Sequence, residues 1–579
     1  MKRCPACKRV EPDDMLVFCR ADGTPLVSDS GSVSGDAGTV KFGSALLSSE
    51  EETSILSQHA TDADVGRSTT VLPARQIPAN TRELSKPKRR KAIVAIAVVI
   101  VAALAASVYF YLSRKKHTAI ESVAVLPFVN TSGDPNMEYL SDGLTESLIY
   151  NLSQLPSLRV IPRSSVFRYK GKEPDPQIVS RELGARAILE GRVVQRGEDL
   201  SISVELIDTL ENKVLWGQQY NRKLAETLPM QQEMSKEISE RLRMSLSGEE
   251  EKRFTKPTTE NGEAYQAYLK GRYYWNKRTG AGIQKGIDYF QQAVRLDPSY
   301  ALAYTGLADS FSLLPQYSAT PISEVAAKAR SAATRAVELD PELAQAHASL
   351  AQVVWLLDWD FGKAEQELRR AIELNPNYAT AHHWLGLLLT QLGRNDEGRK
   401  EVLRAQQLDP LSLIINRTVG TNLQFASKYD EAIAQYKKTL EIDDSFPPVH
   451  ADLAVVYTHT GRRNEAFAEI NKAIALNGRL PVYVAILADV HAKFGEKAEA
   501  NKLLDELITR ARTEYVSPCD IARLYVELGD KEKALVSLDK AIKERDFAIL
   551  SLKAGPAWDT LRGDPRFAEL LRRVGLLIQ

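Results

Sequence analysis

The apolar positions between residues 264 and 546 recur about every 34 residues. Each period ends in a pair of mostly small or apolar residues, and the first members of successive pairs are separated by 43, then 35, then five times by 34 residues. The pairs are Ala293-Val294, Ala336-Val337, Ala371-Ile372, Ala405-Gln406, Thr439-Leu440, Ala473-Ile474, Leu507-Ile508 and Ala541-Ile542. The sequence Leu-Asp-Pro or Leu-Asn-Pro follows the early pairs. In the later periods, a Gly marks the turn near the middle of the period. Three markers in one register predict eight copies of one structural unit.

Each predicted unit consists of two antiparallel helices joined by a turn. Helices of three to four turns are unstable alone in water, so neighbouring units must bury each other's apolar faces. Leu385-Gly386 and the segment 371–376, which reads Ala-Ile-Glu-Leu-Asn-Pro, closely resemble the tetratricopeptide repeat. The resemblance covers about half of the chain, and it implies an α-solenoid with a concave groove that binds other polypeptides.

The first helix of each unit supplies the candidate binding residues. Each first helix contains a recurring Leu. The residues two positions before it and two positions after it lie on one helix face, together with others one or two turns further along. In the middle units these candidates are Gln345, Gln352, His383, Arg417, Thr421 and Gln424. We expect them to form hydrogen bonds with an extended peptide or a helix of a partner protein; the alternative is a solvated inner surface without a ligand.

A second apolar pattern, over residues 92–112, lacks any charged residue. At 1.5 Å per residue these 21 residues span roughly 31 Å, the thickness of the hydrocarbon core of a membrane. The segment lies too far from the N-terminus for a cleaved signal peptide. The pattern predicts a single transmembrane helix, with a buried helix of a soluble protein as the alternative.

Flanking charges predict the orientation of this helix. Six Lys or Arg residues lie in the 15 residues before it and three lie in the 15 residues after it. The more basic flank stays in the cytoplasm. We therefore expect the N-terminus to be cytoplasmic and the large C-terminal part to lie across what would be a bacterial inner membrane.

Three of the four cysteines lie in the first 19 residues. Cys4 and Cys7 have the spacing of a zinc knuckle, and Cys19 and Asp22 repeat it with a carboxylate in the fourth place. Residues 1–27 resemble the short zinc ribbons of bacterial membrane and signalling proteins, which implies structural zinc held by these four residues. The alternative is a decayed ribbon with free thiols. Residues 28–91, rich in Ser, Thr, Gly and Asp with a basic end, predict a disordered linker.

Residues 120–250 have the pattern of a separate α+β domain. Strands are predicted over 122–128, 158–161, 187–195, 200–208 and 214–220, and helices over 139–152, 175–183 and 228–246. The segments 123–128, 139–144, 188–191 and 215–217 resemble the TolB-type N-terminal domain. That resemblance implies a protein-contact module. The aromatic residues from Tyr265 to Trp275 are expected to pack the first repeat against this domain.

Composition and motifs give no support for catalysis. Lys plus Arg and Asp plus Glu both number 75, so no basic surplus indicates a nucleic-acid partner. The sequence has no phosphate-binding loop and no catalytic Ser or zinc-protease motif. His347, His382 and His450 share one repeat position that normally packs between helices, and Cys519 is expected to be a small buried residue.

The sequence thus predicts a mainly α protein: a tetratricopeptide α-solenoid at 260–546 with a helical cap at 547–579. An α+β TolB-type-like domain, one transmembrane helix and a small N-terminal zinc ribbon precede the solenoid. We expect a non-enzymatic, membrane-anchored scaffold that binds other proteins. A transmembrane sensor that couples the repeats to a cytoplasmic partner of the zinc ribbon is the alternative, and an enzyme is the least supported class.

Overall fold

The computed structural model of the chain describes residues 2–3, 10–11, 27–28, 120–155, 157–242, 258–318, 320 and 322–577. Near the N-terminus, strand β1 (Lys2–Arg3) pairs antiparallel with β2 (Val10–Glu11) and with β3 (Val27–Ser28). The predicted zinc ligands Cys4, Cys7, Cys19 and Asp22 lie outside the described residues. The predicted linker after Ser28 and the predicted membrane span 92–112 lie outside them as well.

The α+β domain is built on one mixed sheet. Its strands are β4 (Ser122–Val125), β5 (Val129–Asn130), β6 (Arg159–Val160), β7 (Ala187–Arg196), β8 (Asp199–Asp208) and β9 (Lys213–Lys223), in the order β6-β4-β7-β8-β9 with β5 also on β7. The helices are α1 (Glu138–Ser153), α2 (Arg163–Val166), α3 (Pro176–Leu183) and α4 (Thr227–Arg241). Strands β4 and β6 are parallel to their neighbours, whereas β7, β8 and β9 form an antiparallel meander.

Alternating burial explains why the meander forms. In β8 the side chains of Leu200, Ile202, Val204 and Leu206 are buried, while the residues between them are exposed or half-buried. A period of two places one apolar face on the core. Helix α1 packs against β4 and helix α4 against β9, so both helices lie over the sheet.

Eight helix pairs follow in the described residues. Units 1 to 4 consist of α5 (Gly262–Trp275) and α6 (Gly280–Leu296), α7 (Ala301–Tyr317) and α8 (Ile322–Leu339), α9 (Ala344–Val353) and α10 (Phe361–Leu374), and α11 (Ala379–Gln391) and α12 (Asn395–Leu408). Units 5 to 8 consist of α13 (Leu413–Phe425) and α14 (Tyr429–Ile442), α15 (Pro447–His459) and α16 (Arg463–Asn477), α17 (Pro481–Lys493) and α18 (Lys497–Arg510), and α19 (Pro518–Leu528) and α20 (Lys531–Lys543).

The first helices of the units lie on the inner side of the array. First helices of neighbouring units, such as α17 and α19, pack against one another more closely than the second helices do. Each first helix also contacts the second helix of its own unit and of the unit before it. An array whose first helices are closer together must curve with those helices inside.

The turn between the two helices of a unit contains a residue with positive φ in seven of the eight described pairs. Units 4, 6, 7 and 8 use Gly393, Gly461, Gly495 and Gly529. Units 1, 3 and 5 instead use Arg278 (φ 52°), Trp359 (φ 61°) and Ser427 (φ 58°). Because L-residues avoid the left-handed region, these three positions carry strain that the other units avoid.

Unit 3 also contains a π-helical turn, Val354–Asp358, directly before Trp359. This unit is one residue longer than the standard period, and an inserted residue is what converts an α-turn into a π-turn. This turn places Trp359 beside Arg545, which is far away in the sequence.

The C-terminal cap packs against that turn. Two 3₁₀ segments (Phe547–Ser551 and Pro556–Leu561) and α21 (Pro565–Val574) follow unit 8. Arg545 donates a hydrogen bond from Nη1 to the carbonyl oxygen of Leu357 (2.9 Å), and its guanidinium lies 4.3 Å from the centre of the Trp359 ring. One buried apolar cluster contains residues of units 1 to 4 together with Trp558, Phe567 and Leu571 of the cap. The array therefore closes on itself.

The α+β domain docks on units 1 to 5. Helix α1 packs against α5, and the Tyr265 hydroxyl donates to Ser147 Oγ (2.8 Å), as the aromatic cluster at the start of the repeats predicts. At the other end of the contact, the hydroxyls of Ser164 and Ser165 donate to the Asp409 carboxylate between units 4 and 5. The domain therefore contacts the array at unit 1 and again at the junction of units 4 and 5.

None of the helices in the described part of the chain is long and apolar enough to cross a membrane. The transmembrane helix expected at 92–112 is outside that part and stays a prediction.

Candidate protein-binding face of the repeats

The six candidate residues all lie on first helices of units 3 to 5, which line the inner side of the array. Gln352, His383 and Gln424 are less than a tenth exposed, whereas Gln345, Arg417 and Thr421 are half-buried. The inner face in these units is therefore more enclosed than an open groove.

His383 is held as a neutral ring. Its Nε2 lies 2.9 Å from Thr418 Oγ1, and the Thr418 hydroxyl donates its only proton to the carbonyl oxygen of Ile414. Nε2 must therefore carry the proton and donate to Thr418. Burial, with a smaller effect of the nearby Arg417 charge, lowers the pKa of His383 to about 4. His383 offers a partner its Nδ1 as an acceptor.

Arg417 forms an ion pair across neighbouring units. Its Nε and Nη2 lie 2.6 and 3.1 Å from the two carboxylate oxygens of Asp452 in unit 6. Burial by itself would lower the pKa of Arg417, but the Asp452 carboxylate outweighs that effect and the pKa is raised. A bidentate pair of this kind fixes the spacing of two first helices.

Thr421 and Gln424 are bonded within unit 5. The Thr421 hydroxyl donates to the carbonyl oxygen of Arg417 (3.2 Å), and Gln424 Oε1 accepts from the Tyr436 hydroxyl (3.0 Å). The amide N–H groups of Gln424 have no acceptor among the described residues.

Gln345 and Gln352 of unit 3 are the exceptions. Their side-chain carbonyl oxygens are buried and accept no hydrogen bond from the described residues. A buried acceptor without a donor costs free energy. Both oxygens are enclosed, so a partner's N–H or O–H group reaches them only if the inner face opens.

The sequence reasoning missed four charged residues on the same inner face: Asp452, Asp489, Asp520 and Arg523. Arg523 Nε donates to Asp489, and its Nη2 lies 3.3 Å from Asp520 Oδ1. Burial and the neighbouring carboxylates raise the pKa of Asp489 to about 7, although Arg523 opposes the rise. Burial raises the pKa of Asp520 to about 6. The 34-residue period could have revealed this ion pair, because Asp489 and Arg523 are one period apart.

The three repeated histidines are structural clamps. Nδ1 of His347, His382 and His450 lies 2.6, 2.6 and 2.5 Å from Glu367, Glu401 and Glu469 on the second helix of the same unit. The Nε2 atoms lie 2.9, 3.1 and 2.9 Å from the carbonyl oxygens of Pro341, Pro376 and Asp444 in the turn before the unit. In unit 5 a neutral pair replaces the clamp: Asn416 donates to the Pro410 carbonyl oxygen and accepts from Gln435.

Across the described residues, no group of three or more His, Cys, Asp or Glu side chains is arranged to hold a metal ion. Cys519 is 2% exposed, and burial raises the pKa of its thiol. It shares the repeat position of His383 and Arg417 in unit 8, where it presents an unreactive small side chain.

Comparisons with known families agree with this architecture. Residues 360–393 match the model described as TPR repeat, and residues 519–546 match Tetratricopeptide repeat. These two segments of the helical part are therefore tetratricopeptide repeats. Residues 119–241 match the model described as HilA/YgeH-like transcriptional regulator, second domain. The TolB-type resemblance stays a prediction, because the matching model bears another description.

Among curated proteins, the chain is 36% identical over 187 residues to "Putative adenylate cyclase 3" of Rhizobium meliloti (strain 1021). The match covers 32% of each chain, so this chain spans about a third of that relative. This relative and the HilA-like match fit a bacterial origin.

Among solved structures, the chain is similar to pilF of Pseudomonas aeruginosa at 20% identity and a TM-score of 0.31, over 38% of this chain and 94% of that one. It is also similar to TTC0263, a TPR protein of Thermus thermophilus, at 20% identity and a TM-score of 0.30, over 33% of this chain and 98% of that one. Neither similarity bears on function.

Proposed function

We propose that this chain is a membrane-anchored, non-enzymatic scaffold that binds a partner polypeptide on the inner face of its tetratricopeptide repeats. The observation that carries the proposal is the set of unfilled polar groups on that face. Among the described residues, no donor reaches the enclosed side-chain oxygens of Gln345 and Gln352, and no hydrogen bond is made by the Gln424 amide nitrogen or by His383 Nδ1. An extended peptide has N–H and C=O groups at regular intervals, so it matches such a column.

A photo-crosslinking experiment tests the binding face. A photoreactive amino acid is placed at Thr421, on the inner face, in the full chain expressed in its native host. The matched control is Lys437, which is exposed on the second helix of the same unit. We expect a polypeptide adduct from Thr421 and none from Lys437. Adducts of equal yield at both positions, or none from either, would reject the inner face as the binding site.

The membrane anchor at 92–112, the cytoplasmic N-terminus and the zinc ribbon of Cys4, Cys7, Cys19 and Asp22 are part of the proposal. Strands β1 and β2 flank the Cys4–Cys7 knuckle in sequence, which supports a small folded ribbon there. Zinc would fold this segment without chemistry of its own, since all four ligands come from the chain.

Thiol labelling tests orientation and zinc together. Cys519 is buried, so a membrane-impermeant maleimide reports the three N-terminal thiols. We expect labelling only after the cytoplasmic side is opened and zinc is chelated. Labelling of intact cells would reverse the orientation, and labelling without chelation would contradict the zinc ribbon.

The match to a protein named as an adenylate cyclase favours one second candidate. The two chains share one segment, and about two-thirds of each chain is not matched. A shared segment of this kind is what we expect of a regulatory part that senses a ligand and controls a different effector in each protein. In this chain the output would be a cytoplasmic partner of the zinc ribbon. Crosslinked partners on both sides of the membrane would favour this sensor; a partner on the repeat side alone would favour the scaffold.

A further inference from the structure

The sheet of the α+β domain has one end at which the chain enters it. Strand β4 begins at Ser122, and its parallel neighbour β7 begins beside it at Ala187. Because β8 runs antiparallel to β7, its last residue, Asp208, lies opposite Ala187, and β9 begins opposite Asp208 at Lys213. The turn of residues 209–212 between β8 and β9 therefore projects from the same end of the sheet, and it is called the entry-end turn below.

The entry-end turn and the residue that follows it expose apolar side chains. Leu210 is 72% exposed, the largest exposed fraction among the large apolar side chains of the described residues, and Val214 at the start of β9 is 53% exposed. Single exposed apolar residues are common on protein surfaces, so rigidity and position decide whether these two have a partner.

Buried polar groups hold the backbone of this turn. Asp208 is 2% exposed, accepts a hydrogen bond at Oδ1 from the N–H of Leu210 (3.0 Å), and pairs with Arg186 at 2.7 Å. Thr209 Oγ1 lies 2.7 Å from the carbonyl oxygen of Arg186 and 2.8 Å from Ser180 Oγ on helix α3. Leu210 is therefore exposed in a turn that is fixed at its base.

With the proposed membrane anchor, the length of the connecting chain limits which end of the sheet can meet the bilayer. The predicted span ends at Leu112 and the described domain begins at Ile120, so residues 113–119 connect them. Fully extended, this connection reaches at most about 29 Å. The sheet itself is about 30 Å long, since β8 has 10 residues at about 3.3 Å each. The far end of the sheet could meet lipid only with the connection drawn out along the whole sheet, whereas the entry end needs no such extension.

The entry-end turn lies close to the point where the chain enters. Strands in a sheet are about 4.8 Å apart and β8 is two strands from β4, so the turn begins about 10 Å from that point. A contact of the repeats with this end of the sheet lies on the other side of β4, at the β6 edge, where Asn377 Nδ2 donates to the Leu158 carbonyl oxygen (3.4 Å). The repeats thus leave the turn uncovered.

We propose that the entry-end turn inserts Leu210 and Val214 into the surface of the lipid bilayer that holds the chain. This inference rests on the membrane anchor of the proposed function. The charged residues of this segment, Glu211 and Lys213, are both exposed and cancel, so the contact is apolar and does not require anionic lipid. Attached by both the anchor and the turn, the α+β domain and the repeats docked on it keep one orientation on the bilayer.

Photo-crosslinking to lipid tests this contact. A diazirine amino acid replaces Leu210 in the full chain, which is reconstituted in phosphatidylcholine vesicles. The matched control carries the same amino acid at Glu198, an exposed residue in the turn at the opposite end of β8. We expect at least tenfold more lipid adduct from position 210 than from position 198. Alkaline hydrolysis should leave a fatty acid on the chain, because an inserted side chain reaches the acyl chains; an adduct that retains only headgroup atoms overturns insertion.

Flotation of the same vesicles separates this inference from the anchor on which it rests. If the chain floats with the vesicles and position 210 gives no lipid adduct, the turn does not insert and the anchor stands. If the chain does not float, the anchor and the insertion both fail. An adduct of twice the mass of the chain would show that the turn meets a second copy of the chain, which also overturns the lipid contact.

Substitution of Leu210 tests insertion with the probe at a different residue. The diazirine amino acid is placed at Val214, and Leu210→Asp should reduce its lipid adduct at least threefold, because a carboxylate is costly to bury in an apolar surrounding. Leu210→Phe should retain the adduct. Both variants should unfold in detergent micelles at the wild-type temperature, since residue 210 is exposed. Equal adduct yields with Asp and Leu at this position would contradict insertion.

Discussion

At the scale of single residues, the repeat turn shows how strictly backbone geometry selects side chains. Gly495 adopts φ 85°, and a Cβ added there would touch nothing within 4 Å. The need for glycine at this position is therefore purely conformational. Ser427 occupies the same place in unit 5 at φ 58°, and its side chain makes no hydrogen bond with the described residues.

A pair of substitutions at this turn should have opposite effects. Ser427→Gly should raise the free energy of unfolding by about 0.5–1 kcal/mol, because the relief of left-handed strain exceeds the added chain entropy. Gly495→Ala should lower it by about 1 kcal/mol for the converse reason. Urea unfolding of both variants checks the signs. A loss of stability in Ser427→Gly would show that the Ser427 side chain has a role that its surroundings do not reveal.

The histidine clamp is a second feature at the scale of single residues. The direction in which it makes stability depend on pH follows from its contacts. Both ring nitrogens of His347 face acceptors, so the charged ring satisfies both. Burial alone would lower the pKa of His347, but the hydrogen bonds to Glu367 and to the Pro341 carbonyl outweigh it and the pKa is raised. A raised folded-state pKa contributes stability that is fully present below the unfolded value of 6.5 and is lost as the pH rises through the folded value.

Replacing this clamp with the neutral pair of unit 5 should remove its pH response. In the double variant His347→Asn with Glu367→Gln, the urea midpoint should fall less between pH 6.5 and alkaline pH than it does in the wild type. Both chains are compared in the same buffers, so other titrating groups cancel. An unchanged pH profile would mean that His347 does not gain a proton on folding.

At the scale of helices, each unit is held by close approach of its two helices. Gly386 on α11 faces α12 so closely that an added Cβ would lie 2.5 Å from Val402 Cγ1 and 2.9 Å from the Gly398 carbonyl oxygen. The backbone atom cannot move aside as a side chain can. Small residues at such places allow the short helices to bury enough apolar surface to persist.

Gly386→Ala should therefore destabilise unit 4 by about 1–3 kcal/mol through overpacking. The control is Gly362→Ala in α10, where the nearest atom to an added Cβ is 3.8 Å away. That change should be neutral or stabilising by up to about 0.5 kcal/mol, because alanine favours the helix. Hydrogen exchange resolved by segment measures both. Equal protection of α11 and α12 in the two variants would contradict a packing role for Gly386.

At the scale of the whole molecule, both ends of the repeat array are tied down. The α+β domain holds units 1 to 5, and the cap after unit 8 returns to the π-helical turn of unit 3. A repeat array is otherwise a chain of nearest-neighbour contacts that opens from its ends. The long-range contacts make this array cooperative and limit how widely the inner face opens to a partner.

Replacing Arg545, which joins the end of unit 8 to unit 3, should weaken this long-range contact without unfolding the array. Arg545→Gln loses a hydrogen bond to Leu357 and a cation–π contact with Trp359, together about 1–2 kcal/mol. Amide exchange should accelerate about tenfold in residues 354–361 and 565–577 and stay unchanged in α17 and α18. Uniform acceleration across all units would show instead that Arg545 supports the global fold.

The sequence alone was enough to recognise the repeats. A 34-residue register of small and apolar residues is a local property repeated many times, and short-range helix packing follows from it directly. The antiparallel meander β7-β8-β9 could also be predicted, because buried and exposed positions alternate along its strands. The parallel pairing of β4 with β6 and β7 was not, since parallel partners are set by connections rather than by turns.

Only the tertiary structure decided what the inner face contains. The sequence placed Arg417 and His383 on one helix face, but it did not show that Asp452 neutralises the first or that Thr418 holds the second, because these partners lie one period away. Closure by Arg545 on Trp359 and the pairing of Arg272 with Glu146 join residues more than a hundred positions apart. Such contacts depend on the curvature of the whole array, a sum of small rotations between units that no local pattern records.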